Sequence, residues 1–167
     1  MPRWLGVHRS KASTSSLLDP DADVVVVFGG TNDYGHGDAV MGTMTDRTPN
    51  TFYGALHTLY TSLLNKYPDS AIIVATPLHQ LNDGIGISPS GLYVLAYPLK
   101  RYVEAIREVA EYYSLPVLDL YAASGLQPKV DVINQKYFLD GLHPNAAGHQ
   151  VLAQQVLTFL HNFPRND

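Results

Sequence analysis

The stretch Val24-Val25-Val26-Val27-Phe28 is apolar throughout and β-branched in all but its last residue, and Gly29-Gly30 ends it. Such a run predicts a strand covered on both faces of a parallel sheet, since a half-exposed strand would alternate apolar with polar residues. Ala71-Ile72-Ile73-Val74-Ala75-Thr76, closed by Pro77, reads the same way, and Pro116-Val117-Leu118-Asp119-Leu120 gives a third, shorter strand. Between the first two, Phe52, Leu56, Leu59, Leu63 and Leu64 recur at helical spacing after Pro49, until Tyr67-Pro68-Asp69 stops them. From Pro98 onward Leu99, Tyr102, Val103, Ile106, Val109, Ala110 and Tyr113 mark one helix face, with Lys100, Arg101, Glu104, Arg107, Glu108 and Glu111 opposite. Asn145 is placed to cap a last helix carrying Val151, Leu152, Val156, Phe159 and Leu160.

Strands and helices thus alternate, and each connection is long enough for a right-handed crossover between parallel strands. The expected fold is α/β, a three-layer α/β/α sandwich. Residues 29–48 read as a glycine- and polar-rich loop and residues 77–91 as one bearing glycines and prolines, and residues 92–97 carry no clear pattern. Ligands in open sheets of this kind sit beyond the carboxyl ends of the strands, which directs attention to the residues after Phe28, Thr76 and Leu118.

With 167 residues, the chain fits one domain, residues 1–167, whose first 20 residues form an irregular segment containing a Ser/Thr-rich patch at Ser10 to Ser16. A hydrophobic fraction of 46% against 16% charged residues places it among globular proteins. The net charge of −4 and pI near 5.9 offer no basic surface for a phosphate backbone, so no nucleic-acid partner is expected. Without cysteine there is no disulfide framework or thiolate nucleophile. No apolar run approaches the roughly 20 residues that span a bilayer. The first residues, Met1 to Arg9, lack the apolar core of a secretory signal, so a cytoplasmic location and no membrane partner are expected.

Two constellations carry chemistry. Gly29-Gly30-Thr31-Asn32-Asp33 follows the first strand, and glycines there let the chain turn so that the Asn32 amide aims an N–H at a ligand above the sheet. A fixed amide donor is what a developing oxyanion needs; a plain turn is the other reading, because Gly, Asn and Asp are common turn formers. Asp140-Gly141-Leu142-His143-Pro144-Asn145 lies just before the last helix. Pro144 biases His143 away from helical angles, and a carboxylate three residues earlier can hold Nδ1 while Nε2 acts as base. Gly30, Asp33, His36 and His79 are candidates to line the same pocket, although loop histidines are more often simple surface residues. Asp119, at the end of the third strand, reads as a cap.

Gly30-Thr31-Asn32-Asp33 resembles the third signature block of the SGNH (GDSL-type) hydrolases, and Asp140-x-x-His143 resembles their fifth. Order and spacing agree, and the likeness extends from about residue 20 to residue 163 through stretches such as Thr51-Phe52-Tyr53-Gly54-Ala55-Leu56. The resemblance implies a flavodoxin-like parallel sheet and ester hydrolysis through a serine, with His143 as base, Asp140 as its partner, Asn32 as oxyanion donor, and no cofactor.

The family's Gly-Asp-Ser block, which supplies the nucleophile, does not occur in the sequence. Gly6-Val7-His8-Arg9-Ser10 stands at the distance of the second block but departs from its pattern. The expectation is therefore an N-terminally truncated fold whose nucleophile is unknown. Ser10, Ser13, Ser15 and Ser16 are distant candidates, and Ser88 and Ser90 weaker ones. A missing inner strand would leave the edge of Val24–Phe28 bare, so self-association, pairing by residues 4–16 or a partner segment is expected to cover it.

Three functions follow. The first is a serine esterase or acylhydrolase acting on a small-molecule ester, with acetylated carbohydrate favoured. The second is a non-catalytic ligand-binding protein or inactive fragment on the same scaffold. The third, a metal-assisted hydrolase using Asp33, His36, Asp140 and His143, is the least favoured, and no metal is expected.

Overall fold

The computed structural model describes residues 19–37, 40–87 and 94–163. Their order is β1 (Val24–Phe28), α1 (Thr31–His36), α2 (Phe52–Lys66), β2 (Ala71–Ala75), β3 (Gly86–Ile87), β4 (Val94–Leu95), α3 (Leu99–Tyr112), β5 (Val117–Leu118), α4 (Leu120–Ala123), α5 (Asp131–Tyr137) and α6 (Ala146–His161). The chain divides into two compact units. One takes the residues up to Pro77 together with Gly84–Val117, and the other takes Leu78–Asp83 with the residues from Leu118 onward.

In the first unit β1 and β2 run parallel with Val24 beside Ala71 and Phe28 beside Ala75. The sheet order is β1-β2-β5, and Val74 N–H donates to the Pro116 carbonyl at 2.9 Å. The fold is thus α/β with a parallel strand pair, as expected. β2 is buried from Ile72 to Ala75, but β1 alternates, with Val25 and Val27 buried and Phe28 44% exposed. The expectation that β1 is covered on both faces is corrected here. Among the described residues β1 bonds to β2 alone and is an edge strand, where burial alternates with the pleat.

Helices α2 and α3 pack on each other. They bury Phe52, Leu56, Tyr60 and Leu63 from one and Leu99, Tyr102, Val103, Ile106 and Val109 from the other. Each aliphatic side chain removed from water contributes about 1.5–3 kcal/mol. The first turn of α2 opens at Phe52, three residues after Pro49, because the Thr51 hydroxyl accepts from Gly54 N–H at 3.1 Å and donates to Asp46 at 2.8 Å.

Three further departures from the sequence pattern have identifiable causes. Residues 31–36, expected as loop, form α1: Gly30 precedes it at φ 102°, Tyr34 N–H donates to the Gly30 carbonyl, and the buried Tyr34 ring stands edge-on to Tyr102. The glycine-bearing region after Pro77 yields the short antiparallel pair β3–β4, with Ile87 opposite Val94 and Leu95 turned inward. The third strand is only β5, because the Asp119 carboxylate accepts from Ala122 N–H at 3.1 Å and starts α4 instead.

The second unit holds α4, α5 and α6. Asn145 caps α6 by accepting from Gly148 N–H at 3.1 Å, as expected from sequence, and its side-chain N–H donates to the Lys136 carbonyl at 3.0 Å. The apolar stripe of α6, Val151 to Leu160, is half-buried. No helix among the described residues is long and apolar enough to cross a membrane.

The tightest glycine is Gly54, where an added Cβ would meet the backbone carbonyl of Thr48, which cannot swing aside. Gly54→Ala is expected to lower stability by about 1–3 kcal/mol in thermal or urea unfolding. Gly35→Ala meets nothing within 4 Å inside a helix and is expected to be neutral or stabilising by up to about 1 kcal/mol; equal losses from both would refute the clash.

Candidate functional site

His143 sits on a turn that the sequence builds almost alone. Phe138 and Pro144 form an isolated antiparallel bridge, and Leu139 N–H donates to the His143 carbonyl at 2.9 Å. Gly141 takes φ 79°, a left-handed angle that L side chains rarely adopt. Inside the turn, Asp140 Oδ1 accepts from Leu142 N–H at 3.0 Å and from His143 N–H at 2.8 Å, while Oδ2 lies 2.8 Å from His143 Nδ1. The pairing expected from Asp140-x-x-His143 is therefore present.

Both side chains are open, His143 at 67% and Asp140 at 53% exposure. An ion pair this wet adds little to stability. Its effect is orientation: with Nδ1 tied to a carboxylate, Nε2 points away from the turn and has no hydrogen-bond partner among the described residues. The His143 backbone N–H, then its imidazole, hold the Asp140 carboxyl down at about 2, below its ordinary 3.8.

Asn32 is the second residue of α1 and is exposed, and among the described residues its amide makes no hydrogen bond. α1 is anchored beneath it by Tyr34, whose hydroxyl donates to the Gly84 carbonyl at 2.8 Å. Gly30 is required twice over: its φ is left-handed, and a Cβ there would stand 2.9 Å from Ile106 Cδ1. Asp33 is buried inward, whereas His36 is exposed at the end of α1. Asp33 thus belongs to the interior of its unit, because a helical turn sends adjacent residues in different directions.

His79 has partners that spacing partly announced. Its Nδ1 lies 2.9 Å from Asp83 Oδ2, four residues on, and its ring stacks on Tyr121 with centroids 3.7 Å apart. Asp83 is buried and also accepts from the Lys129 ammonium. Burial works to raise the Asp83 carboxyl, but Lys129 and His79 outweigh it and hold it below its ordinary value. Sequence reasoning singled out His79 and missed Asp83, Lys129 and Tyr121; the His79-x-x-x-Asp83 spacing was the one legible signal.

Among the described residues no three His, Asp or Glu side chains gather as a metal-ligand set, so the grouping of Asp33, His36, Asp140 and His143 as ligands finds no support. The serines named as nucleophile candidates, Ser10, Ser13, Ser15, Ser16, Ser88 and Ser90, all lie outside the described residues, as does the segment 4–16 proposed to cover β1.

The sequence model of the GDSL-like Lipase/Acylhydrolase family matches residues 2–151. A solved protein from Lactobacillus plantarum is 34% identical, with TM-score 0.81 over 92% of this chain and 74% of that one. A lipase/acylhydrolase from Enterococcus faecalis is 22% identical, with TM-score 0.56 over 95% of this chain and 70% of its own. A peptidoglycan O-acetylesterase, 20% identical, aligns with TM-score 0.62 over 84% of this chain and 37% of that one. These last two bear on the fold. No curated protein matches.

Because three N–H groups hold the Asp140 carboxyl, its carboxyl-carbon NMR signal should titrate with a midpoint near pH 2. The folded value lies below the unfolded 3.8, so the turn is fully supported above the unfolded value and loses that support as pH falls through the folded one. His143→Ala removes the imidazole and keeps the backbone donor, so the midpoint should rise only part of the way. A full return to 3.8 would show that the backbone bonds do not act.

Proposed function

Since the chain belongs to the GDSL-like lipase/acylhydrolase family, we propose that it hydrolyses carboxylic esters of small molecules by acyl transfer through a serine, acetyl esters of carbohydrates being the favoured class. The observation that carries this reading is the Asp140–His143 pair, an imidazole oriented by a carboxylate and open to solvent on its other nitrogen.

In the proposed cycle His143 Nε2 takes the proton of the serine hydroxyl as that oxygen bonds to the ester carbonyl carbon. The carbonyl oxygen becomes an oxyanion and accepts a hydrogen bond from the Asn32 amide. His143 then gives its proton to the departing alcohol, and water attacks the acyl-enzyme with the same base. Asp140 stabilises the imidazolium formed at each half-reaction, which its full negative charge suits. Asn32 is well suited to donate because no hydrogen bond among the described residues occupies its amide.

A second reading rests on the absence of Gly-Asp-Ser from the sequence: the scaffold binds its ligand without turning it over. Hydrolysis of a short-chain aryl acetate decides. The esterase reading expects turnover that His143→Ala lowers by several orders of magnitude and Asn32→Ala by about a hundredfold to a thousandfold, both in kcat, with circular dichroism unchanged. Absence of turnover, or turnover indifferent to His143→Ala, would sink it; saturable binding of an acetylated sugar without product would then favour the binding protein.

A further inference from the structure

The second unit holds another imidazole tied to a carboxylate, and the cycle above does not use it. His79 Nδ1 is bonded to the buried Asp83 carboxylate, and one ring face lies on Tyr121. The side chain is 23% exposed, and among the described residues Nε2 has no hydrogen-bond partner. The ring can neither flip nor swing without losing the carboxylate and the stack, so Nε2 is a polar atom of fixed direction at the surface.

Its neighbours set its chemistry. Asp83 also accepts from the Lys129 ammonium, so it is a carboxylate that can only accept, and the ring nitrogen facing it is the donor of the pair. With Nδ1–H donating to Asp83, Nε2 presents a lone pair and accepts from an O–H or N–H donor. The loop that carries it is joined to the base-bearing turn: Leu81 N–H donates to the Gly141 carbonyl at 2.8 Å, and a Cβ at Gly141 would stand 2.7 Å from the Leu81 side chain. Residues 79–83 and 140–143 therefore form adjoining loops.

We infer that His79 is a specificity-determining residue that accepts a hydrogen bond from a hydroxyl on the alcohol portion of the substrate, and so selects esters of polyhydroxylated alcohols over esters of plain alcohols. The inference rests on the esterase reading for the identity of that alcohol. Hydroxyl binding itself is independent of turnover, because the acceptor is already oriented before any ligand arrives and little ordering cost is left.

The test uses the full chain labelled with nitrogen-15 at histidine. The His79 ring nitrogens are assigned by their loss in His79→Gln, and the wild type is titrated with methyl glucoside and with tetrahydropyran, the same ring without hydroxyls. A saturable shift of His79 Nε2 with the glucoside and none with tetrahydropyran is expected. Calorimetric titration should show binding weakened about tenfold in His79→Phe, which keeps a ring on Tyr121 but has no acceptor, and retained in His79→Gln, whose amide oxygen can replace Nε2. An unmoved Nε2 signal, an equal response to tetrahydropyran, or equal weakening by both substitutions would overturn the inference. Aryl acetate hydrolysis, measured separately, reports on the esterase reading: loss of turnover with the glucoside shift intact would remove that reading and leave the hydroxyl site standing.

Discussion

Asp140 brings three N–H groups onto two oxygens within four residues of chain: the backbone donors of Leu142 and His143 and the imidazole of His143. Each bond is charge-assisted, and none depends on a residue outside the turn. Because the group is exposed, water competes for every one of these bonds and the gain in stability is small. What the arrangement fixes is direction. Gly141 supplies the left-handed angle, Phe138 and Pro144 close the neck, and Asn145 ties the start of α6 to the end of α5, so the imidazole has one orientation before any ligand binds. A chemical group meant to receive a proton at a defined place needs this more than it needs burial.

Where structure is set by neighbours in the chain, the sequence announces it. The two apolar runs became β1 and β2, the long amphipathic pattern became α3, and Asn145 caps α6. Where structure is set by distant contacts, pattern reading fails. α1 spans six residues with Gly35 inside and Gly37 at its end, a composition that resists helix formation; Tyr34 holds it through Tyr102 and Gly84, far away in the sequence. The exposure of Phe28 follows from the place of β1 in the sheet order, which no property of the five residues encodes. The same division runs through the site. Asp140 was legible as a partner of His143 because only two residues separate them. Lys129 reaches Asp83 across 46 positions, and no local spacing could have joined them.

The two imidazole–carboxylate pairs of the second unit share one bond and differ in everything around it. Among the described residues Asp140 faces no Lys or Arg; it stands in water and is held low by N–H groups of its own turn. Its charge is whole, and it answers any positive charge that appears on His143. Asp83 is buried, its charge is shared with Lys129, and its imidazole is clamped against Tyr121. The carboxylate and the stack together leave that ring a single position. The first environment leaves an imidazole open to solvent on one side, and the second holds one in a fixed place against an aromatic ring, so histidines with the same partner chemistry are set apart by burial, by the stack and, among the described residues, by the ammonium that faces only one of the two carboxylates.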